Sequence, residues 1–271
     1  MTATRRTIVK LGGELLEPGA DLRGLTRALA VIAAEGPLVV VHGGGKEIDA
    51  ECARRGIAKV AVDGLRVTDA ATLDAVVTVL SGAVNTRLVA ALAAAGTPAV
   101  GLTGADASCV LVEKAAPHHA VDGRVVDLGL VGTPIGSAWP GVLDALIAAG
   151  TIPVVACVGI DASGQLYNVN ADTMAAHLAG VGRARRLIIG GTVAGVLDAT
   201  QALIAHLDPA GIDALVADGT ASAGMVAKLT ACRRALDAGV DEISIVDART
   251  PGHLVSRTGT RISRSLQESP S

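Results

Sequence analysis

The segment LVVVHGGGKEID, residues 38–49, constrains the fold more than any other part of the chain. Its first four residues predict a short buried strand, because they are apolar and three of them are β-branched valines. Three glycines, Gly43, Gly44 and Gly45, then precede a helical pattern that runs from Lys46 to Arg55. A strand, turn and helix of this kind leave backbone N–H groups unpaired at a helix N-terminus, where an anion binds well. The alternative interpretation is a tight turn that binds no ligand.

Three known glycine loops differ from this one. A Walker A loop needs Ser or Thr after Gly-Lys, whereas Glu47 follows Lys46. A dinucleotide fingerprint needs glycine three residues after Gly45, where Ile48 stands. An esterase oxyanion loop would need a Gly-x-Ser-x-Gly motif elsewhere, and the sequence has none. We therefore interpret the segment as an anion-binding loop of another kind.

Strand-like and helix-like segments alternate along the chain. This alternation predicts an α/β fold in which a largely parallel sheet is covered by helices on both faces. Valine-rich residues 110–131 instead suggest short antiparallel strands. Because no flexible linker is visible, we expect two packed lobes that share one sheet, an N-terminal lobe of about residues 1–182 and a C-terminal lobe of about residues 183–263. Residues 264–271 are expected to form a frayed tail.

One long helical pattern follows Thr68. This threonine can cap a helix that begins at about Asp69 and continues to Ala95. Gly82 lies within this pattern, so we expect a break near it.

Composition excludes several classes of function. The sequence has no Phe, one Trp and one Tyr, so it lacks stacking platforms for single-stranded nucleic acid. A net charge of -3 gives no basic footprint for a duplex. The four cysteines lie far apart without a Cys-x-x-Cys motif, which is typical of reduced, buried residues in a cytoplasmic protein. Residues 1–6 are too short and polar for a signal peptide, and no apolar run approaches the ~20 residues of a membrane helix.

Two lysines lie at glycine-rich ends of elements. Lys10 falls at the end of a predicted buried strand, TIVKL, just before Gly12 and Gly13. Lys228 lies one turn into a helix that opens after Gly224. A single lysine is most often a solvated surface charge. A lysine within a buried strand, however, needs a partner or a ligand, so we expect Lys10 to be functional.

Further polar residues follow predicted strands. Arg66 precedes a helix, and its planar guanidinium suits a bidentate grip on a carboxylate, although a simple salt bridge is the alternative. Asn168, Asn170 and Asp172 form the segment NVNAD at a helix start. One of the three is expected to cap the helix, and the other two exceed what a cap requires. The histidines show no metal-ligand spacing, so we assign no metal site.

Several of these segments together resemble the amino-acid kinase family. The segments, from Lys10 to about Ile262, are VKLGG (9–13), VVHGGGKEID (40–49), DGLRVTD (63–69), VDLGLVG (126–132), NVNAD (168–172) and GMVAK (224–228). Each is weak alone, but their order and spacing are specific. DGLRVTD with NVNAD favours the branch that phosphorylates N-acetyl-glutamate over the aspartate and uridylate kinases. The resemblance implies a three-layer αβα sandwich, with the acyl-amino acid in the N-terminal lobe and the nucleotide in the C-terminal lobe.

The resemblance also implies an activity and the residues that perform it. The activity is ATP-dependent phosphorylation of the side-chain carboxylate of N-acetyl-L-glutamate, a step of arginine biosynthesis, with Mg²⁺ carried by the nucleotide. Lys10 and Lys228 would flank the transferring phosphoryl group, and Asp172 would hold both lysines. The acceptor would contact Gly44, Gly45, Arg66 and Asn168. No catalytic base is evident, which fits a carboxylate acceptor, because a group with a pKa of about 4 is already ionised at neutral pH.

The expected nucleotide contacts include one departure from the family. They are Gly12, Gly13, Thr192, Gly195 and Val196. Family members usually carry an aspartate in the segment that here reads GGTVAGV, residues 190–196, and Thr192 stands in its place. The surrounding glycines and Val196 fit the family's loop, so nucleotide affinity is the property that this exchange puts in question.

Two rival hypotheses remain beside this one. The first is a kinase for a related carboxylate, such as another N-acyl-glutamate or an aminoadipate derivative. The second is a non-catalytic small-molecule-binding protein that keeps the fold, against which the joint presence of Lys10, Asp172 and Lys228 argues. For the assembly we expect a homodimer, because the first strand begins at about Thr7 and leaves no room for the N-terminal helix that links hexameric members of the family.

Overall fold

The structure, a computed structural model, describes residues 6–221 and 223–264. Its strands are β1 (Thr7–Leu11), β2 (Leu38–His42), β3 (Ala61–Val62), β4 (Leu65–Arg66), β5 (Ala99–Thr103), β6 (Val112–Lys114), β7 (His118–His119), β8 (Val125–Val126), β9 (Gly132–Pro134), β10 (Ile152–Ala156), β11 (Val158–Ile160), β12 (Leu166–Asn168), β13 (Arg186–Gly191), β14 (His206–Leu207), β15 (Glu242–Asp247) and β16 (Gly259–Ile262). Its α-helices are α1 (Leu22–Glu35), α2 (Gly45–Arg54), α3 (Ala70–Val77), α4 (Asn85–Ala94), α5 (Gly141–Ala148), α6 (Ala171–Val181), α7 (Pro209–Ala217), α8 (Ala223–Asp237) and α9 (Gly252–Ser256).

The central sheet has eight strands in the order β14-β16-β15-β13-β1-β2-β10-β5. From β15 to β5 every pairing is parallel, and only β16 runs antiparallel to its neighbour β15. The expected largely parallel sheet is therefore confirmed. Strand β1 lies in the middle, with Lys10 opposite Val41 of β2 and Ile189 of β13. Because β1 pairs with β13, the sheet continues across the expected lobe boundary near residue 182.

Helices cover the sheet to give the three-layer αβα arrangement. One group of helices joins α1 to α4 and α9, and α4 also contacts β5 and β10. The other group joins α6 to α8, and α6 lies against β1, β2 and β13. All residues of β1, β2 and β10 are buried, which explains why most of them are apolar. The short pairs β6–β9 and β7–β8 are antiparallel, as residues 110–131 predict.

The long helical pattern after Thr68 differs from the expectation in two ways. Asp69 caps α3, accepting from the amide of Thr72 at 2.7 Å, because the backbone of Thr68 is already bonded to Leu128 and Leu130. No break occurs at Gly82, because a π-helical segment, Thr78–Val84, joins α3 to α4 without interruption. Residues 70–94 thus form one helix of 25 residues with a mean hydropathy of 1.6.

By length and composition alone, this helix could cross a membrane, contrary to the sequence expectation. Its 18-residue apolar window is 44% buried within the protein. The buried side chains include Val76, Leu80, Leu88 and Leu92, all members of the hydrophobic core. Packing of these side chains into the core accounts for the buried part of the helix's apolar surface.

Two further sequence expectations concern the cysteines and the ends of the chain. All four cysteines are free and buried, as expected. Apart from Arg264, the tail expected at residues 264–271 lies outside the described residues, and so do residues 1–5.

Candidate active site

Buried Lys10 and partly buried Lys228 share one buried carboxylate, that of Asp172. Lys10 Nζ lies 3.0 Å from Asp172 Oδ1, and Lys228 Nζ donates to Asp172 Oδ2 at 3.0 Å. The three side chains are only 9%, 15% and 10% exposed, in the order Lys10, Lys228 and Asp172. Burial alone would raise the pKa of Asp172, but the charges and hydrogen bonds of the two lysines hold it below its ordinary value. This lysine–aspartate triad therefore carries one uncompensated positive charge, which attracts an anionic ligand.

Three elements from distant parts of the chain build the triad. Lys10 is the fourth residue of β1, and Asp172 lies in the first turn of α6. Asn170 caps α6 by accepting from the amide of Thr173 at 3.0 Å, so one member of NVNAD does cap the helix as expected. Lys228 comes from α8, which packs along α6. The helix pair thus aligns Asp172 and Lys228 with the end of β1.

Two glycine turns meet beside the triad. A Cβ atom on Gly13 would lie 2.6 Å from the Cα atom of Gly44, so the two turns touch through bare backbone. Gly12 was expected to contact the nucleotide, but its amide donates to Gly190 O at 2.9 Å and is not free for a ligand. Gly44 is the N-cap of α2 and Gly45 its first residue, where backbone donors have no partner within the helix. Close packing explains why glycine is required at Gly13 and Gly44, whereas Gly45 lies at an open helix N-terminus.

A cavity of about 370 Å³ opens at these turns. We call it the glycine-turn cavity, and the site residues from the sequence that line it are Lys10, Gly12, Gly13, Gly44, Gly45, Arg66 and Asn168. Asp172 and Lys228 do not line it, but the ion pair with Lys10 connects them to it. Seven residues from four separate segments therefore converge on one space. The volume lies within the ordinary range for small-molecule sites, about 300–1,000 Å³.

The guanidinium of Arg66 forms the salt bridge that was the alternative to carboxylate binding. It forms an ion pair with Asp49, and it donates to Gly45 O at 3.1 Å. Asp49 also accepts from Lys59 at 2.7 Å. The salt bridge is thus present, and it holds Arg66 at the wall of the cavity beside the glycine turn. Across the cavity, Asn168 donates its amide to Thr68 Oγ1 at 3.1 Å, which fixes the orientation of that side chain.

The nucleotide-binding residues expected in the second half of the chain lie in the loop after β13. Thr192 is half-buried and follows directly on Gly191, the last residue of β13. Gly195 has a φ of 155°, and a Cβ atom there would lie 2.5 Å from Thr260 Oγ1. The amide of Val196 donates to the same hydroxyl at 2.8 Å. Gly195 and Val196 therefore anchor the loop on β16, and none of the three lines the glycine-turn cavity.

Sequence reasoning missed two polar pairs that support the glycine turn. His42 is fully buried, Asn85 donates to its Nε2 at 3.0 Å, and its Nδ1 lies 3.2 Å from Gly43 O. Burial lowers the pKa of His42 to about 4, so the ring is neutral and donates from Nδ1. Arg87 forms an ion pair with Glu47 of α2 and donates to Leu16 O at 2.9 Å. Glu47 directly follows Gly45-Lys46, but no local sequence pattern indicates Arg87 as its partner.

Comparisons with known proteins agree with this architecture. The chain matches the family model for the amino acid kinase family over residues 5–247. Acetylglutamate kinases of Sphingopyxis alaskensis and Acidiphilium cryptum are 43% and 42% identical to it over 250 residues, which is 90% of this chain and 82% and 83% of theirs.

Two solved structures share the fold at low sequence identity. N-acetylglutamate synthase from Neisseria gonorrhoeae, complexed with coenzyme A and N-acetyl-glutamate, has a TM-score of 0.81 at 23% identity, covering 97% of this chain and 60% of that one. Carbamate kinase from Giardia lamblia, bound to AMP-PNP, has a TM-score of 0.67 at 17% identity, covering 97% and 99%. The family match and the two acetylglutamate kinases extend over most of the sequence, and we conclude that this chain belongs to the amino acid kinase family.

Proposed function

We propose that the protein phosphorylates the side-chain carboxylate of N-acetyl-L-glutamate with ATP, which yields N-acetyl-L-glutamyl 5-phosphate and ADP. The observation that carries this proposal is the lysine–aspartate triad, two ammonium groups on one buried carboxylate, of which Lys10 lines the glycine-turn cavity. Its surplus positive charge suits a transferring phosphoryl group. Similarity to acetylglutamate kinases over 90% of the chain supports the choice of acceptor.

The acceptor fits the glycine-turn cavity on chemical grounds. Arg66 would bind the α-carboxylate, because its guanidinium can make two parallel hydrogen bonds to a carboxylate. Asn168 would contact the amino-acid portion from the opposite wall. The side-chain carboxylate would then approach the amides of Gly44 and Gly45, where the N-terminus of α2 favours negative charge.

The transfer needs no general base. With a pKa of about 4, the acceptor carboxylate is ionised at neutral pH, so one of its oxygens can attack the γ-phosphorus directly. The new O–P bond forms as the bond to the ADP oxygen breaks, and the bonding electrons leave with ADP. Lys10 and Lys228 would offset the negative charge on the phosphoryl oxygens, and Asp172 would keep both ammonium groups in position.

On the nucleotide side, family membership implies the use of ATP. We propose that Mg²⁺ arrives on the phosphates of the nucleotide and neutralises part of their charge there. Gly13 and the loop of Thr192 both lie at the carboxyl ends of neighbouring strands, β1 and β13. At this edge they could contact the phosphates and the ribose. Gly12, Gly195 and Val196 would act through backbone shape, since the amides of Gly12 and Val196 already have partners.

A coupled ADP-release assay across acceptors tests the proposal. N-acetyl-L-glutamate should give the highest kcat/KM, ahead of other N-acyl-glutamates, N-acetyl-aminoadipate and free L-glutamate. Preference for one of the other acyl acids would instead favour the related-carboxylate kinase. If no acceptor releases ADP although calorimetry detects N-acetyl-L-glutamate binding, the protein is a non-catalytic binder. The homodimer remains a prediction, and light scattering of the purified protein tests it.

A further inference from the structure

A second cavity, of about 410 Å³, lies along α6 and α8 and shares no lining residue with the glycine-turn cavity. We call it the α6–α8 cavity. Thr173 and His177 of α6 contribute to its wall, as do Ser137 from the segment after β9 and Arg234 of α8. Asp172 and Thr173 are adjacent, yet Asp172 joins the triad and Thr173 lines this second cavity.

Small residues at the contact of two helices leave room for the cavity. A Cβ atom on Gly180 would lie 2.7 Å from the Cβ of Ala238, so α6 and the end of α8 are in close contact there. Ala176, one turn before Gly180, also lines the cavity. Because these side chains are short, the space above them is left to the longer side chains at its rim.

The rim carries positive charge without a counter-ion. Arg183 and Arg234 are exposed, and neither guanidinium group has a hydrogen bond or an ion pair among the residues that the structure describes. None of the described residues that line the cavity is Asp or Glu. The neighbouring Arg233, in contrast, is paired with Asp213 and Asp237. Two unpaired guanidinium groups beside hydroxyl groups are the donors that bind phosphate and carboxylate oxygens.

Arg183 occupies a position that favours glycine. Its φ is 44°, and it follows α6 in the turn where the amide of Arg183 donates to Gly180 O and the amide of Ala184 to Ala179 O. This is the left-handed position after a helix, which is most often glycine because a Cβ atom is unfavourable there. The arginine side chain is thus present at a cost to the backbone.

The ring of His177, in the wall of the cavity, can report whether an anion is bound. Its ring is partly buried, and no partner for it is found within the described part of the chain. Burial lowers the pKa of this ring below its ordinary value. An anion in the cavity would therefore change the surroundings of His177 directly.

We propose that the α6–α8 cavity binds a small multivalent oxyanion, a phosphate or polycarboxylate compound, through Arg183 and Arg234, with hydroxyl groups of Ser137 and Thr173 completing the contacts. The site is distinct from the glycine-turn cavity. A bound anion would contact both the segment after β9 and α8.

Histidine-ring NMR of the full chain tests the proposal. We would record ¹H–¹⁵N spectra of ¹⁵N-histidine-labelled protein at one fixed pH and assign His177 with the variant His177→Gln. Inorganic phosphate and citrate would be titrated separately, against sodium chloride at matched ionic strength. The His177 signals should shift saturably with phosphate or citrate and not with chloride. The anion with the lower dissociation constant indicates whether the ligand is a phosphate or a polycarboxylate compound.

Three variants localise the binding. Arg234→Gln should weaken the anion by about tenfold or more, as expected for the loss of a charge-assisted hydrogen bond. Arg183→Gly should weaken it similarly while the melting temperature stays equal or rises, because glycine suits the positive φ. Arg124→Gln, which removes an exposed arginine paired with Asp122 outside the cavity, should bind as the unaltered protein does.

Several results would overturn the proposal. One is the lack of a saturable His177 shift with either anion. Another is an unchanged dissociation constant in both Arg234→Gln and Arg183→Gly. The titrations are repeated with saturating ADP, and loss of the His177 response under that condition would assign the shift to the nucleotide site instead.

Discussion

Removing the carboxylate of Asp172 or the ammonium group of Lys10 should stop catalysis, but the two changes should affect stability differently. The triad holds two positive charges and one negative charge, all at most 15% exposed. Asp172→Asn leaves two buried ammonium groups without a counter-ion, and breaking a buried pair in this way costs about 3–5 kcal/mol. Lys10→Met leaves Lys228 paired with Asp172 and the centre neutral. We therefore expect it to change the free energy of unfolding by about 1 kcal/mol or less.

Thermal unfolding and steady-state kinetics of both purified variants measure these effects. For a chain of this size, 1 kcal/mol shifts the melting temperature by about 2–4 °C, so Asp172→Asn should melt about 6–20 °C lower. Lys10→Met should melt close to the unaltered protein and lose about 10²–10³ in kcat, the usual effect of one transition-state donor. Lys114→Met, a change in an exposed ion pair with Asp127, is the matched control and should alter neither property.

The pH dependence supplies an independent check. The pKa of Asp172 is lower in the folded protein than in the unfolded chain, where it is about 4. The ionised carboxylate therefore stabilises the fold at pH values above the unfolded pKa, and this stabilisation is lost as the pH falls through the folded pKa. The stability gap between Asp172→Asn and the unaltered protein should therefore narrow in acid. Equal melting temperatures for Asp172→Asn and Lys10→Met at neutral pH, or near-normal turnover by Lys10→Met, would refute the charge reasoning.

Three further predictions concern the acceptor and the nucleotide. Arg66→Lys should raise KM for the acyl-glutamate far more than KM for ATP, because lysine lacks the bidentate fork, and equal changes would remove Arg66 from the acceptor site. Gly45→Ala should leave the melting temperature unchanged, since a Cβ atom there meets nothing within 4 Å, but it should raise KM for the acceptor. Gly82→Ala is the control, because a Cβ atom at that position also meets nothing within 4 Å. Thr192→Asp should stay active and change KM for ATP with little effect on the acceptor, and an unchanged KM for ATP would exclude this side chain from the nucleotide site.

The sequence predicted the features that depend on neighbouring residues. The strands around Lys10 and Val40 follow from apolar runs, and the glycine turns follow from residue type. Lys10 was identifiable as functional because a charge inside a buried strand needs a partner. NVNAD was recognisable as a cap with surplus polar groups, and Asn170 proved to be the cap.

What the sequence could not predict depends on pairings across the fold. Thr68 and Asp69 are both good caps, and the choice of Asp69 follows from backbone hydrogen bonds between Thr68 and the segment Leu128–Leu130. The partner of His42 is Asn85, which comes immediately after the π-helical segment and also donates to Val154 O at 2.9 Å. Local propensity does not place an irregular turn of this kind within an apolar helix.

The most direct test of the proposed function is detection of the acyl phosphate itself. The protein, ATP, Mg²⁺ and N-acetyl-L-glutamate would be incubated with hydroxylamine, which converts an acyl phosphate into a hydroxamate, and the product identified by mass spectrometry. We predict the side-chain hydroxamate of N-acetyl-L-glutamate in amounts equal to the ADP released, and its near absence with Lys10→Met. Release of ADP without hydroxamate would contradict the proposal, because the phosphoryl group would then have passed to water and not to the carboxylate.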